Sequence, residues 1–552
     1  MRRISVYTIF ILLITILGIL FVFWGKNVHR APDFSCESGV YEEDFYLEMK
    51  AGIGSRIYYT TDGSDPDENS TLYEGPVLLT DASGEPNRIS SREDLSAKAY
   101  DAPSSNVDKA NVIKAIAFYG SDLKSEIVTG NFLVKKSDEA AGYKACPVLF
   151  LIADPAELTD YNHGIMVLGS RFDEYVKAQG ITEEEIAKGE FKDYSIEANF
   201  SSRMGRNAER IVNAQLVSED VIFDMNVGIR NRGVSSSDGP KKSYNLYARE
   251  EYGTAEFPKE LFSCGHEVDR LTLRREDSIL KDALAEEMLA GSPLLVTEAG
   301  SPVQVFINGE YWGLYDLEEK YDENWFMTHL GISGDKIDLV KGRTTELNAT
   351  GSAKDDLKAL FEYCETHDLS VQENYEYVLS KVNIESYADF YATIVYIASI
   401  DFSQDYNLIF WRTSGNLGEG SLNGKWNWSV YDLNSAMINP EQDTLNGELK
   451  KGYENPIGEH TMLSALMKNE NFREIFAKSF ERMEEYFSAD EVRTAVENKR
   501  DALTAAGEKN NLRWDEDVDY DAQADKIINF FDNRKTTVDE AVKQYFERFE
   551  NN

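Results

Sequence analysis

The 552-residue sequence predicts an α+β protein that is preceded by a small all-β module and by one N-terminal transmembrane helix. Three observations lead to this fold class: an uncharged apolar run near the N-terminus, short strand-like runs up to about residue 136, and helical periodicity in the last third of the chain. Strands followed by helices in the main part are typical of α+β proteins. The chain is too long for one hydrophobic core, so two or three domains are expected.

The first element is a mostly apolar run over residues 4–24, which follows Arg2 and Arg3. About 20 such residues suffice to span a bilayer as a helix. A cleaved signal peptide would have a shorter apolar core and a small-residue exit, whereas this run ends in Phe-Val-Phe-Trp. We therefore expect an uncleaved signal anchor at residues 4–24, and a single-pass cell-membrane protein whose chain after residue 30 is extracytoplasmic.

Residues 31–136 form the second element, because strand-like runs alternate there with turns rich in Asp, Gly, Ser and Pro. Short strands at this spacing predict a small immunoglobulin-like β-sandwich. The segments Tyr58–Pro66 and Lys114–Tyr119 resemble the chitobiase/β-hexosaminidase C-terminal type of module, in which a Thr-Asp-Gly-x-Asp-Pro hairpin is the hallmark. Two roles stay open for the module: contact with carbohydrate, or a spacer between the membrane and the next domain.

A charged stretch at residues 135–142 predicts a linker, and residues 145–552 predict the main domain. Its sheet-rich part extends to about residue 345 and begins with a buried-strand pattern at Pro147–Ala153, and its helical part covers about 346–552. Helical periodicity is clearest at residues 278–290, 353–367, 384–399, 459–485, 489–505 and 537–549.

The charge of the chain limits its function, because 97 acidic residues against 57 basic ones give a net charge of −40. Such a charge argues against a nucleic-acid partner and favours a basic protein substrate. The four cysteines and six histidines form no CxxC or HExxH pattern, so no zinc site is expected. Neither the G-x-S-x-G elbow of a serine hydrolase nor the carboxylate pair of a glycoside hydrolase can be identified.

The stretch from Asp401 to Asn407, followed by a strand, a turn and a second strand ending in Asp432, carries the groups that phosphoryl transfer needs. That reaction uses one carboxylate to accept the substrate hydroxyl proton, and an amide oxygen with a second carboxylate to hold a divalent metal on the phosphates. The same pattern also fits two solvated turns around a β-hairpin, which is the alternative interpretation.

A Gly/Ser loop lies upstream, between Arg232 and the pair Lys241 and Lys242. Backbone N–H groups of such a loop can cradle phosphate, and a lysine supplies a cation for it. Strand alternation places Lys242 on the same face as Tyr244 and Leu246, so Lys242 is the better candidate of the two lysines. A plain hairpin turn with solvated lysines is the alternative.

The helix expected around residues 278–290 presents Leu280, Leu284 and Glu287 on one face at helical spacing. Glu287 lies at the edge of this apolar stripe, where it could orient a lysine of a neighbouring strand; a solvated rim glutamate is the alternative. Further along, Asn308-Gly309 between alternating apolar residues predicts a β-hairpin with a type I′ turn.

Together these motifs resemble the CotH kinase family, the family of spore coat protein H, over roughly residues 145–515. The motifs occur in the same order and separation as in that family. They are Arg-Gly-x-Ser-Ser with Pro-Lys-Lys-Ser-Tyr at 232–244, the Asn-Gly hairpin at 307–319, the Asp…Asn…Trp-Arg segment at 401–412, and the Trp…Asp-x-Asn segment at 428–434.

The resemblance implies a protein-kinase-like two-lobed domain that phosphorylates Ser/Thr of a protein partner with ATP and Mg²⁺ or Mn²⁺. Asp401 would be the catalytic-loop aspartate, and Glu287 is the candidate for the catalytic glutamate that orients a lysine. The implied nucleotide-binding residues are Arg232, Ser235, Ser236, Lys241, Lys242 and Glu319. The implied metal ligands are Asn407, Asp432 and Asn434.

The sequence departs from the family pattern at three positions. Asn434 stands where a second acid is usual, and Val234 stands where Asn is frequent. The spacing from Asp401 to Asn407 is longer than the kinase pattern by one residue, so Asp405 competes for the catalytic role. A metal ligand changed from carboxylate to amide weakens binding. The alternative function is therefore a structural or adhesion protein of the cell surface that keeps the fold without turnover.

Overall fold

A computed structural model of the chain describes residues 30–550, except 98–99, 101, 121–122, 189–196, 234–238, 263–264, 276–278, 343, 402–406 and 448–456. The chain forms two compact units. Unit 1 contains residues up to Ala255 together with Val303–Leu314 and Lys509–Glu516. Unit 2 contains Glu256–Pro302, Tyr315–Glu508 and the residues from Asp517 onward.

The N-terminal part of unit 1 is all-β, as predicted. Its strands are β1 Asp33–Phe34, β2 Gly39–Tyr41, β3 Phe45–Leu47, β4 Met49–Lys50, β5 Arg56–Thr60, β6 Thr71–Leu72, β7 Val77–Leu79, β8 Asn111–Tyr119, β9 Leu123–Lys124 and β10 Val128–Val134. The main sheet has the order β2-β10-β8-β5-β6, and the pairs β1-β4 and β3-β7 accompany it. Leu47, Ile113 and Phe132 are buried in its core.

A mixed sheet follows in unit 1. Its elements are α1 Ser137–Lys144, β11 Val148–Ile152, α2 Pro155–Thr159, α3 Gly169–Gln179, α4 Glu183–Ala187, β12 Arg210–Val217, β13 Val221–Arg232 and β14 Ser243–Tyr247. β12 pairs antiparallel with both β11 and β13, and β13 pairs antiparallel with β14. All of β11 is buried, which confirms the buried strand predicted at Pro147–Ala153.

The Asn308-Gly309 turn joins the strands β16 Gly300–Ile307 and β17 Glu310–Glu318, after β15 Arg270–Arg275. Both turn residues have positive φ, 44° for Asn308 and 83° for Gly309, which is the conformation that a type I′ turn requires. The hairpin prediction is therefore confirmed. On the other side of this hairpin β16 runs parallel to β11, with Val148 opposite Gln304.

The β-module packs on the tip of this hairpin within unit 1. The Glu310 carboxylate accepts hydrogen bonds from the backbone N–H groups of Arg88, Ile89 (3.2 Å) and Ser90 (2.8 Å), and from the Ser90 hydroxyl (2.6 Å). The N–H of Ala110 donates to the carbonyl of Gly309 at 2.8 Å. Glu310 is only 3% exposed, so these donors replace water around a buried carboxylate.

Unit 2 is mainly helical and contains one further sheet. Its helices are α5 Ile279–Leu289, α6 Glu323–Leu330, α7 Ala353–Thr366, α8 Gln372–Lys381, α9 Ile384–Tyr396, α10 Thr461–Leu466, α11 Glu470–Tyr486, α12 Ala489–Trp514, which ends in unit 1, and α13 Tyr520–Glu550. The sheet has the order β19-β18-β20-β21, with β18 Ile337–Lys341, β19 Thr344–Asn348, β20 Ile409–Thr413 and β21 Asn427–Ser429. The helices predicted at 278–290, 353–367 and 384–399 are confirmed to within a few residues at their ends. The segment predicted at 459–485 forms two helices, α10 and α11, and the helices predicted at 489–505 and 537–549 are longer than expected, at Ala489–Trp514 and Tyr520–Glu550.

Local signals fix several of these ends. α6 begins after Asp322, whose carboxylate accepts the N–H groups of Asn324 (3.0 Å) and Trp325 (3.1 Å), and it ends at Gly331 with a φ of 67°.

α9 is the central helix of the unit, because its residues from Ser386 to Tyr396 are all buried.

The fold prediction needs two corrections. Helices α7 to α9 lie in the chain between β19 and β20 of one sheet, so the region after residue 145 is mixed α/β and not the two-lobed α+β domain that strands first and helices later predicted. The described residues also contain no helix that combines the length and the apolar character needed to cross a bilayer. This finding overturns the predicted transmembrane element and the single-pass membrane location, although residues 4–24 themselves lie outside the described residues. The predicted domain boundaries stay predictions.

Candidate functional site

The β20–β21 hairpin brings the two predicted phosphoryl-transfer segments to one end of the sheet. Phe410 pairs with Trp428 in antiparallel register, which confirms the predicted strand, turn and second strand. Asn407 precedes β20 and Asp432 follows β21. Because antiparallel neighbours begin and end at the same edge, both residues lie at that edge.

Asp401 and Asn407 are joined directly. The Asn407 side-chain nitrogen donates to the backbone carbonyl of Asp401 at 3.0 Å, which leaves the amide oxygen as the atom suited to a cation. Asn407 has a φ of 57°, a left-handed conformation that asparagine adopts more readily than most residues. Asp405, the competing candidate, lies outside the described residues.

The segment after β21 packs against the end of α9, from which the chain continues to Asp401. The N–H of Met437 donates to the carbonyl of Ile397 at 2.8 Å, and the N–H of Ile400 donates to the carbonyl of Ser435 at 3.4 Å. The two segments contain four described non-glycine residues with positive φ, namely Ala398 (51°), Asn407 (57°), Asp432 (58°) and Met437 (56°). Such backbone strain persists only where the surrounding structure fixes it, and it concentrates at functional sites.

Arg274 contacts the second segment. This residue lies on β15, and its guanidinium bridges the carboxylates of Asp282 and Asp432. Asp282 lies in the first turn of α5, and its other oxygen accepts the N–H of Leu433 at 2.7 Å. A strand cation, a helix carboxylate and the predicted metal-binding aspartate are thus in contact within unit 2. Arg274 and Asp282 were not among the predicted site residues, although an arginine near a strand end followed by an acid in the next helix was a usable signal.

The buried face of α5 differs from the predicted one. Asp282, Ala285, Glu286 and Leu289 are buried at helical spacing, whereas Glu287 is exposed. Burial, together with the charges of Asp282 and Glu298, raises the pKa of Glu286 well above its ordinary value. The carboxylate of Glu286 accepts the N–H of Glu298.

Glu287 and Glu319, two predicted site residues of unit 2, have other partners. Glu287 pairs with Lys499, and about half of its side chain is exposed. Glu319 is buried; its carboxylate accepts the N–H of Ala299 at 2.9 Å and lies 3.3 Å from Nε2 of His329. Their predicted roles stay predictions.

The other predicted nucleotide-binding residues belong to unit 1. Lys242 is fully buried; its Nζ donates to the carbonyls of Leu95 (2.8 Å) and Gly239 (2.9 Å) and lies 3.5 Å from the centre of the Phe200 ring.

Lys241 is also buried, and its Nζ donates to the side-chain oxygen of Asn510 at 3.0 Å. Arg232 ends β13 opposite Ser243. Ser235 and Ser236 lie outside the described residues. The solvated lysines of the alternative interpretation are therefore not observed.

The predicted metal ligands carry oxygen donors, which is the ligand type that Mg²⁺ prefers. Within the described ranges no group of three or more His, Cys, Asp or Glu side chains is arranged to hold a metal by itself. Mg²⁺ in nucleotide sites is bound by one or two carboxylates and by substrate phosphates. The predicted ligands are the Asp432 carboxylate and the amide oxygens of Asn407 and Asn434, and the Asn434 oxygen accepts the Ser435 hydroxyl at 3.2 Å.

Two family models match parts of the chain. A family model described as CotH kinase protein matches residues 229–538, more than half of the chain, and this range includes every predicted site residue. A second family model, described as Fn3 associated, matches residues 47–132. This match supports a β-sandwich module, but not specifically the chitobiase type. No curated protein matches the chain.

Proposed function

Because the chain belongs to the CotH kinase protein family, we propose that it is an atypical protein kinase that transfers the γ-phosphoryl group of ATP to a serine or threonine of a protein partner. In this reaction the substrate hydroxyl oxygen forms a bond to the γ-phosphorus, and the bond from that phosphorus to the bridging oxygen of ADP breaks. The hydroxyl proton passes to a carboxylate, for which Asp401 is the candidate.

The observation that carries the proposal is the bridge from Arg274 to Asp282 and Asp432. Protein kinases need a strand cation for the phosphates, a helix carboxylate that holds this cation, and an aspartate for the metal. Arg274, Asp282 and Asp432 supply these three groups, and only 9% of the Arg274 side chain is exposed. In such a setting a cation is more effective than in water, because the surroundings screen its charge less.

The proposed roles follow from the chemistry of each group. Asp432, Asn407 and Asn434 would hold Mg²⁺ or Mn²⁺, which neutralises charge on the phosphates. Arg274 would contribute a fixed positive charge beside them. Asp282 would keep Arg274 in place, and through the N–H of Leu433 it also holds the backbone next to Asp432.

The proposed substrate is a basic, Ser/Thr-rich segment of another protein. The net charge of −40 would attract such a segment and speed its approach at low ionic strength. Salt should therefore raise KM for a lysine-rich peptide more than for a neutral one.

The proposal is tested by incubating the full chain with labelled ATP, Mg²⁺ or Mn²⁺, and a synthetic Ser/Lys-rich peptide. Asp432→Ala is the test variant, and Asp335→Ala, at a well-exposed aspartate of unit 2, is the matched control. We expect incorporation by the unmodified chain and by Asp335→Ala, and loss of roughly 100-fold or more in Asp432→Ala. No incorporation, or equal incorporation by Asp432→Ala, would overturn the proposal and favour the structural alternative without turnover.

A further inference from the structure

Arg534 of α13 is a buried arginine whose hydrogen-bond acceptors are backbone carbonyls. It is 1% exposed. Its Nε donates to the carbonyl of Tyr396 at 2.8 Å, and its Nη2 donates to that of Val395 at 2.6 Å. Its Nη1 donates to the carbonyls of Pro440 and Gln442, both at 2.7 Å. One guanidinium thus connects two separate parts of unit 2.

The chemistry of these contacts explains why an arginine is needed. Val395 and Tyr396 end α9, where carbonyls have no N–H partner four residues further along the helix, and the carbonyl of Val395 also accepts the N–H of Ala398 at 3.1 Å. A positive charge at a helix C-terminus is favourable, and the planar fork of arginine reaches several acceptors at once. Burial lowers the pKa of Arg534 to about 10, so the side chain stays positive at neutral pH.

The two connected parts lead to the proposed reaction site. The chain runs from Tyr396 through Ala398 to Asp401 on one side. On the other side, Pro440 follows the segment that begins at Asp432. The strained residues Ala398 and Met437 lie next to these anchors, each with a φ above 50°. Arg534 is therefore bonded to the supports of both segments and not to the proposed reacting groups.

We propose that Arg534 is a positioning residue that sets the separation between Asp401 and the segment carrying Asp432 and Asn434. This inference rests on the proposed kinase function for its consequence in catalysis. Its structural content is independent of that function, because the four contacts fix the backbone at Val395 and Tyr396 on one side and at Pro440 and Gln442 on the other. Without the fork, the two segments keep their sequence but lose their common anchor.

The test uses Arg534→Lys and Arg534→Gln in the full chain. Lysine keeps the buried positive charge but not the fork, so it should fold even where glutamine does not. Three quantities are measured: Mn²⁺ affinity by electron paramagnetic resonance, amide hydrogen exchange at residues 397–401 and 433–442, and the separate values of kcat and KM. We expect Mn²⁺ affinity to fall roughly 10–100-fold, exchange to speed up in both segments, and kcat to fall with little change in KM for the peptide.

Arg482→Lys is the matched control. Arg482 donates to both carboxylate oxygens of Asp389, with Nε 3.1 Å from each, so it also supports α9 but does not reach the two segments. Its variant should lower thermal stability while Mn²⁺ affinity and exchange at 397–401 and 433–442 stay at the levels of the unmodified chain.

Two results would overturn the inference. One is a normal Mn²⁺ affinity and normal exchange in both Arg534 variants. The other is an equal change in Arg482→Lys at a similar loss of thermal stability. If the unmodified chain shows no phosphoryl transfer, the proposed function fails, and hydrogen exchange alone still decides whether Arg534 anchors the two segments.

Discussion

The side-chain amide of Asn407 donates a hydrogen bond to the backbone carbonyl of Asp401, with 3.0 Å between nitrogen and oxygen. The bond joins the candidate catalytic aspartate to a candidate metal ligand six residues further along the chain. The spacing between them is longer than the kinase pattern, yet the two residues are in contact. The longer spacing therefore does not by itself argue against a shared site.

Substitutions of Asn407 should separate its backbone role from its side-chain role. Asn407→Gly keeps the φ of 57° without strain but removes the amide, whereas Asn407→Ala removes the amide and adds about 1 kcal/mol of strain. Both should lower Mn²⁺ affinity by a similar factor. Both also lose the hydrogen bond to the Asp401 carbonyl, and the alanine variant should lose more stability because of the added strain. Calorimetry and Mn²⁺ titration check this. A glycine variant with normal Mn²⁺ affinity would exclude Asn407 as a ligand.

Removing the Arg274 side chain should reduce phosphoryl transfer and stability together. Arg274→Met leaves the carboxylates of Asp282 and Asp432 without their common cation, so we expect a loss of about 3 kcal/mol in unfolding free energy and roughly 100-fold in kcat/KM. Arg493→Met is the control, because Arg493 forms an exposed pair with Asp532. If Arg274→Met keeps its activity after correction for folded fraction, Arg274 does not contact the phosphates.

Two variants of α5 test which of its acidic residues supports catalysis: Asp282, which pairs with Arg274, or Glu287, which pairs with Lys499. Asp282→Asn should lower kcat/KM at least tenfold, because it weakens the hold on Arg274. Glu287→Gln removes an exposed pair with Lys499, which should change stability by less than about 1 kcal/mol. Initial rates with labelled ATP give the comparison. A large loss in Glu287→Gln with none in Asp282→Asn would instead support the role that helical spacing predicted for Glu287.

Glu209 should make stability depend on pH in the acid range. Burial tends to raise its pKa, but hydrogen bonds from Arg249, Tyr252 and Arg230 outweigh burial and lower it from 4.5 to about 2. Because the folded-state pKa is depressed, this contribution is fully present above pH 4.5 and is lost as the pH falls towards 2. Denaturant unfolding at several pH values between these limits gives the free energy of unfolding. This free energy should change less with pH in Glu209→Gln than in the exposed control Glu219→Gln. Parallel curves would contradict the assignment.

The contact between the β-module and the hairpin should be sensitive to Glu310. Glu310→Gln exchanges a carboxylate for an amide, whose NH₂ group cannot accept the N–H groups of Arg88 and Ser90. We expect a loss of about 2 kcal/mol in unfolding free energy, measured in urea, and no change in Glu74→Gln on the exposed surface of the module. Equal stability of the two variants would show that the contact contributes little.

The sequence predicted correctly those elements that a few neighbouring residues determine. The Asn308-Gly309 turn follows from positive φ at both positions, and β11 follows from an unbroken apolar run. Each needs only a few neighbouring residues. The strand, turn and second strand that lead from Asn407 to Asp432 were predictable for the same reason.

The face of α5 could not be predicted in this way. Apolar residues lie around most of this helix, and its buried stripe includes Asp282 and Glu286. A hydrophobic pattern therefore selects the face of Glu287, because it counts buried acids as solvent-exposed. Only the pairing of Asp282 with Arg274, which depends on tertiary structure, reveals the true orientation.

The surroundings of Lys242 could not be predicted from the sequence either. β14 is buried on both faces. Strand alternation places Lys242 on the face of Tyr244, but it does not distinguish a face that lines a cleft from a face that is buried in the core. The side chain of Lys242 donates to the carbonyls of Leu95 and Gly239. The first belongs to a distant part of the sequence, and no local pattern marks it.

The packing of the β-module on the Asn308-Gly309 hairpin decides how far the protein can be shortened. A fragment starting at residue 229, where the family match begins, would lack β11, β12 and most of β13, and would leave β16 without its parallel partner β11. A fragment starting at residue 145 would strip Glu310 of its donors. Boundaries drawn from family similarity thus cut through a single hydrogen-bonded body, and unit 1 should melt cooperatively with the β-module as one folding unit.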